Sequence, residues 1–292
     1  MDQAEQLRII KANNQIRPTA RVITVTSGKG GVGKSNMSIN LAIQFRKMGK
    51  KVVILDADFG LANIEIMFGA VPKHNLSDLI YQGKNIKDII TWGPMEVGFI
   101  SGGSGITGLS NLSKDYLTYI VHNLAELDTI ADVIIVDTGA GISDAVLEFL
   151  VASGEILLVT TPEPTSITDS YSLLKALNGH PGLERDNTQI CMIANRVSAA
   201  NEGEVLFQKL DVVVSRYLKL PITYLGAVPQ DPLLAKAVMQ QLPVSLQNPQ
   251  ARSAQAYEEI AAKLMKQDEG QNTQKRGVAA FFSHIIGKRN NG

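Results

Sequence analysis

The chain has 292 residues, 45% hydrophobic and 19% charged, with 28 basic against 28 acidic side chains. A formal charge of zero excludes a chain-wide field that would draw in nucleic acid or a membrane, so any such contact has to be local. A single cysteine, Cys191, excludes an intrachain disulfide framework and a cysteine-held metal or cluster, and no run approaches the roughly 18 apolar residues of a spanning helix.

Residues 1–20 come first, a polar helix-prone arm closed by "RPTA", whose proline stops a helix. It contains acids and no apolar stretch of signal-peptide length, which predicts a cytoplasmic protein. β-branched runs then recur: "RVITVTS" at 21–27, "KVVILDAD" at 51–58, "DVIIVDTG" at 132–139, "EILLVTTP" at 155–162, "QICMIANR" at 189–196 and "ITYLGAVP" at 222–229. They read as buried parallel strands. Helical patterns at 35–48, 114–127, 165–177 and 202–218 separate them, and the alternation predicts an α/β fold: a doubly wound, mainly parallel sheet in one domain over 21–266.

The first strand runs into "GKGGVGKS", which satisfies G-x-x-x-x-G-K-[ST] in the strand–loop–helix order that a phosphate loop requires. Gly28, Gly30, Gly31 and Gly33 let backbone N–H groups turn inward around phosphate oxygens, with Lys29, Val32 and Asn36 completing the loop. Lys34 is placed to reach the β- and γ-phosphates and Ser35 to ligate Mg²⁺. Asp56 and Asp58 end the second strand and Asp137 ends the third, where open α/β sheets put their ligand chemistry; Asp56 and Asp137 are expected to act on Mg²⁺ through water. Asp58 is suited to orient the attacking water, against the plainer alternative of capping a helix. "TPEPTS" is a strand-to-helix turn in which Glu163 is either solvated or in reach of a second copy. The strand ending "ANRVS" has Ser198 where the Asp of a guanine-reading N-K-x-D would stand, so the expected nucleotide is ATP.

"QDEGQNTQ" at 267–274 lacks any apolar residue and reads as a linker. Beyond it Val278, Phe281, Phe282, Ile285 and Ile286 fall on one stripe, flanked by Lys275, Arg276, Lys288 and Arg289. This is the pattern of a helix lying on a membrane surface; the competing reading is a helix packed on the core.

Lys29 within K-G-G-x-x-G-K-[ST] makes the chain resemble the deviant Walker A ATPases of the MinD/ParA class of P-loop NTPases. The resemblance implies that Lys29 reaches the phosphates of a partner copy, so that ATP brings about a homodimer. It further implies that Lys29, Lys34 and Asp58 serve catalysis, with Asp58 in switch I and Gly139 to Gly141 in switch II. Asn195 and the backbone near Pro229 would frame adenine, with Arg196 beside them either a further nucleotide contact or plain surface charge. Without clustered lysines and arginines on the core, the DNA contact of partition ATPases is not expected. Within the class, the amphipathic tail resembles that of MinD. Its basic residues add about 1 kcal/mol each near an anionic surface, so one tail binds weakly, whereas two on an ATP-held dimer gain roughly 10² to 10⁴ in avidity. The opening "MDQAEQLR" carries Asp2, Gln3, Ala4, Leu7 and Arg8 of the DQAxxLR element of the flagellar-number regulators known as FlhG, YlxH or FleN. That implies an arm that stimulates an FlhF-type GTPase, a switch for flagellar number or placement with flagellar C-ring components as further partners, and reversible residence at the inner face of the cell membrane. The alternatives are a MinD-like cell-division or ParA-like positioning ATPase, or a scaffold that binds ATP without hydrolysing it.

Overall fold

The computed structural model describes residues 19–58, 63–102, 121–270 and 277–287, with the side chains of 268–270, 286 and 287 outside that description. The arm elements Asp2, Gln3, Leu7 and Arg8, the side chain of Ile286, and Lys288 and Arg289 all lie outside the described residues.

Eight strands form one sheet: β1 (Arg21–Thr26), β2 (Val52–Ala57), β3 (Thr91–Trp92), β4 (Gly98–Ser101), β5 (Val133–Thr138), β6 (Glu155–Thr160), β7 (Gln189–Val197) and β8 (Thr223–Pro229). Their order is β3-β4-β2-β5-β1-β6-β7-β8, parallel throughout except for β3 against β4. The six strands expected from β-branched runs form where those runs lie. β3 and β4 give no such signal, because two and four residues are too few to show a period. They form a hairpin whose tip holds Met95 and Glu96 at φ 53° and 57°, a left-handed backbone unusual for residues with a side chain. Arg46 steadies it, donating to the Met95 carbonyl at 2.8 Å and pairing with Glu96 at 2.7 Å.

Each central strand is apolar on both sides. Val52, Ile54, Val133 and Ile135 enter one core cluster, while Val53, Leu55, Ile134 and Val136 enter another, as the period of two requires when helices cover both faces. The first face carries α1 (Lys34–Lys47), α2 (Asn63–Phe68), α9 (Pro232–Met239), α10 (Val244–Gln247) and α11 (Arg252–Gly270). On the second lie α3 (Leu76–Gln82), α4 (Ile86–Ile89), α5 (Leu127–Ile130) and α6 (Asp144–Ala152). A third cluster joins α6 to α7 (Pro164–Gly179) and α8 (Glu202–Tyr217). Arg21 ties the layers, paired with Glu155 at 2.6 Å and donating to the Leu264 carbonyl at 2.9 Å.

Two features bear on what the C-terminal sequence led one to expect. α11 continues through Gly270, into the stretch read as a linker, because a lack of apolar residues signals a lack of burial and not a lack of helix. The tail helix α12 (Val278–Gly287) is not a free apolar face in this structure. Val278, Phe281, Phe282 and Ile285 are all at most 5% exposed, packed in the cluster with Leu76, Leu79, Leu124 and Phe149. The Phe281 ring lies 6.0 Å from Phe149 and edge-on to Phe282 at 5.1 Å. A stripe apolar enough for a bilayer is equally suited to an apolar groove, and docking resolves it without water.

Candidate functional site

The site forms along the C-terminal rim of β1, β2 and β5. Asp56 and Asp137 are direct register partners across β2 and β5, so two carboxylates stand side by side, and Val25 of β1 pairs with Asp137 on the other flank. Between β1 and α1 the loop turns on Gly31 (φ 74°) and Gly33 (φ 102°), which a side chain would oppose. Gly28 is required for another reason: a Cβ there would run into the backbone of Asp169 in α7. The loop therefore rests directly on that helix.

Lys34 is buried and donates from Nζ to Ser27 Oγ at 3.1 Å; Ser27 Oγ in turn donates to the Lys29 carbonyl at 2.7 Å. Burial pulls the Lys34 ammonium below its usual range, opposed by Asp137 and Asp58. Asp137 is fully buried; its Oδ1 accepts from Ser38 Oγ at 3.0 Å, while Oδ2 is buried without a hydrogen-bond partner. Desolvation pushes its carboxyl up to about 6, against the neighbouring hydroxyls of Ser35 and Ser38 and the charge of Lys34. Asp56 is pushed up to about 8, chiefly by burial and then by Asp137.

Among the described residues no group of three His, Cys, Asp or Glu could hold a metal ion by itself. The donor set here fits a different arrangement, a small hard cation held by one hydroxyl, water and the ligand's own phosphates. The orphaned Oδ2 of Asp137 is the group in the described site most in need of such a partner, and Ser35 lies within reach of the same carboxylate.

Asp58 donates its backbone N–H to Asp56 Oδ1 at 3.2 Å and accepts at Oδ2 from Asn63 Nδ2 at a long 3.5 Å. Its Oδ1 would lie 3.6 Å from a Cβ at Gly139, so the residue read as switch I faces the turn read as switch II. Asp56 also accepts from the Ile64 backbone at 3.4 Å, fastening the start of α2. Lys29 is held within its own chain: Nζ donates to Glu163 Oε2 and to Thr165 Oγ1, both at 2.7 Å. Asn195 and Arg196 also grip the loop, donating to the Val32 carbonyl at 2.6 Å and the Gly31 carbonyl at 2.7 Å, and Arg196 does so from a left-handed φ of 60°. Asn195 Oδ1 stays buried and unpartnered at the rim. Pro229 pairs with Val197 at the end of β8, two residues before Asp231 caps α9.

The sequence reading did not find Ser38, Thr165 or the contact of Gly28 with α7. Ser38 is marked by its spacing, one helical turn after Ser35 on the same face. Nothing in the local sequence marks Thr165 or Asp169, because their importance arises only where α7 crosses the loop.

A family model described as ParA, NUBPL iron-transfer P-loop NTPase, matches residues 18–265. The iron-transfer part of that description does not carry over to a chain whose single cysteine is buried in β7. Antiactivator FleN of Pseudomonas aeruginosa is 38% identical over 84% of this chain and 86% of that protein. Flagellum site-determining protein YlxH of Helicobacter pylori is 34% identical over 91% of this chain and 90% of that one. Among solved structures, the septum site-determining protein MinD of Pyrococcus horikoshii with Mg-ADP aligns at a TM-score of 0.68 and 24% identity, covering 85% of this chain and 97% of that one. With the phosphate loop, its paired carboxylates and the sheet order in place, the chain belongs to the ParA family of P-loop NTPases, with a MinD-like fold and flagellar regulators among its relatives.

Proposed function

We propose that the protein is a slow Mg²⁺-dependent ATP hydrolase used as a switch for flagellar number or placement. The observation that carries this is the pairing of an intact phosphate site with near full-length similarity to FleN and YlxH. Lys34 and the loop amides hold the phosphates; Asp58 orients the attacking water; Asn195 offers its free carbonyl oxygen to the amino group of adenine. Bound Mg²⁺ would supply charge neutralisation at the β- and γ-phosphates, with Ser35 and Asp137 as its protein contacts and Asp56 behind them. Lys29 exchanges Glu163 and Thr165 of its own chain for phosphate oxygens of a second copy, which makes the dimer depend on ATP. Dimerisation favours release of α12, and two tails with their basic flanks hold the dimer on an anionic membrane. The arm at residues 1–20 stimulates an FlhF-type GTPase, and C-ring components are further partners.

The test is a deletion strain scored for flagellar number, flagellar position and septum position. Altered flagella with normal septa is the expected outcome. Unchanged flagella with displaced septa would reassign the protein to cell division.

A further inference from the structure

The two ends of the folded domain meet at one carboxylate. Asp128, in α5, accepts at Oδ1 from the backbone N–H of Ala20 at 2.9 Å and from that of Val278 at 3.0 Å. Ala20 is where the N-terminal segment enters β1, and Val278 is the first residue of the tail helix. These segments are 258 residues apart in sequence and share a single oxygen atom.

The tail helix needs that oxygen. Its first N–H groups have no partners within the helix, it is preceded by Gly277, and its first turn carries no acid. A cap and a negative charge, which helices ordinarily take from their own sequence, are here supplied by the body of the domain. The fit at the junction is close: a Cβ on Gly277 would lie 2.7 Å from Asp128 Oδ2 and 3.0 Å from Thr19 Cγ2. Gly277 therefore packs against the root of the arm as well as against the carboxylate. Each N–H helps hold the Asp128 side chain in the orientation that serves the other, so loss of either weakens the one that remains.

We propose that Asp128 is a latch shared by the two ends of the chain, coupling the N-terminal arm to release of the tail. A protein partner that takes hold of the arm and draws on Ala20 withdraws the cap from α12; a tail that leaves its groove loosens the root of the arm. By linkage the effect is the same size in both directions. The partner and the membrane come from the proposed function, but the latch itself needs neither.

The experiment is hydrogen exchange on the full-length, nucleotide-free protein, without membrane or partner. Asp128→Ala is expected to speed exchange of the amides at 278, 281 and 282 by roughly tenfold, the usual consequence of losing a helix cap. Asp128→Asn keeps an acceptor oxygen without the charge and falls between, and Glu126→Gln, an exposed neighbour, matches wild type. Gly277→Ala acts from the tail side, displacing Asp128, and speeds exchange at Ala20; adding Asp128→Ala to it produces no further change there. Wild-type tail exchange in Asp128→Ala, or unchanged Ala20 exchange in Gly277→Ala, overturns the proposal. If thermal melting shows that Asp128→Ala fails to fold, the Asn and Gly277 variants decide it alone. Failure of vesicle binding with this coupling intact counts against the membrane reading only.

Discussion

Phe149→Ala opens the tail's groove from the side of the domain and leaves the tail's own sequence untouched. Phe149 is 3% exposed, and its ring lies tilted at 6.0 Å from that of Phe281, which is 1% exposed. A buried Phe→Ala truncation costs about 3–5 kcal/mol in total. Most of that falls on the domain, because Phe149 belongs to the core cluster of the second sheet face. The part carried by the tail is the aromatic pair, about 0.5–1.5 kcal/mol, with some lost burial of Phe281 in addition. An assignment of about 1.4 kcal/mol to docking raises the undocked fraction about tenfold. Because the free tail is chemically unaltered, its affinity for a membrane is too, so the change is visible as co-sedimentation with anionic vesicles in ADP. The expected result is a rise of about tenfold in that ADP background, with the ATP-bound level unchanged. If Phe149→Ala stays at the wild-type ADP background while exchange shows an undocked tail, the groove is not what withholds the protein from the membrane.

Glu163→Gln loosens the hold on Lys29 and increases the ATP-dependent dimer by no more than about fivefold, since the contact is solvent-exposed, whereas Lys29→Ala abolishes the dimer; light scattering with and without ATP distinguishes them. Asp56 and Asp137 keep protons that the unfolded chain would lose near 3.8, so the folded state binds more protons than the unfolded one between there and about 6 for Asp137 and about 8 for Asp56. Stability of the nucleotide-free protein should accordingly fall as pH rises through that window, and thermal melts of Asp137→Asn should show a shallower decline; a wild-type slope in that variant rejects the assignment. Mg²⁺ has to displace the proton on Asp137, so its binding weakens as pH drops below about 6, measurable by calorimetry. A peptide of residues 1–20 added to an FlhF-type GTPase with GTP should accelerate phosphate release, and a Gln3→Ala peptide should not; identical behaviour of the two removes the arm's assigned role.

The parts of the fold legible in sequence were those with local causes. Six strands followed from β-branched runs, and the phosphate loop from glycines and Lys34, because those choices are dictated within a few residues. β3 and β4 escaped because a short edge hairpin is fixed by Arg46, a residue on a distant helix. Lys29, Asn195 and Arg196 stood out as residue types, but their partners here, Glu163, Thr165 and the loop carbonyls, depend on where α7 and β7 cross the loop. The tail was the case in which two environments satisfy one pattern. Phe281 and Phe282 call for an apolar surface, and only the assembled cluster around Phe149 and Leu124 shows that the domain provides one.

The bare contact between Gly28 and the backbone of Asp169 has a genetic consequence. When two side chains collide, a smaller residue at one site can rescue a larger one at the other, and paired substitutions drift together through a lineage. Here the atoms that a Cβ at 28 would strike are a carbonyl carbon, its oxygen and the next amide nitrogen, which every amino acid presents alike. No exchange at 169 or 170 can make room. A screen for suppressors of Gly28→Ala should therefore return reversions, or changes that move α7 as a whole, and no compensating partner at either of those positions.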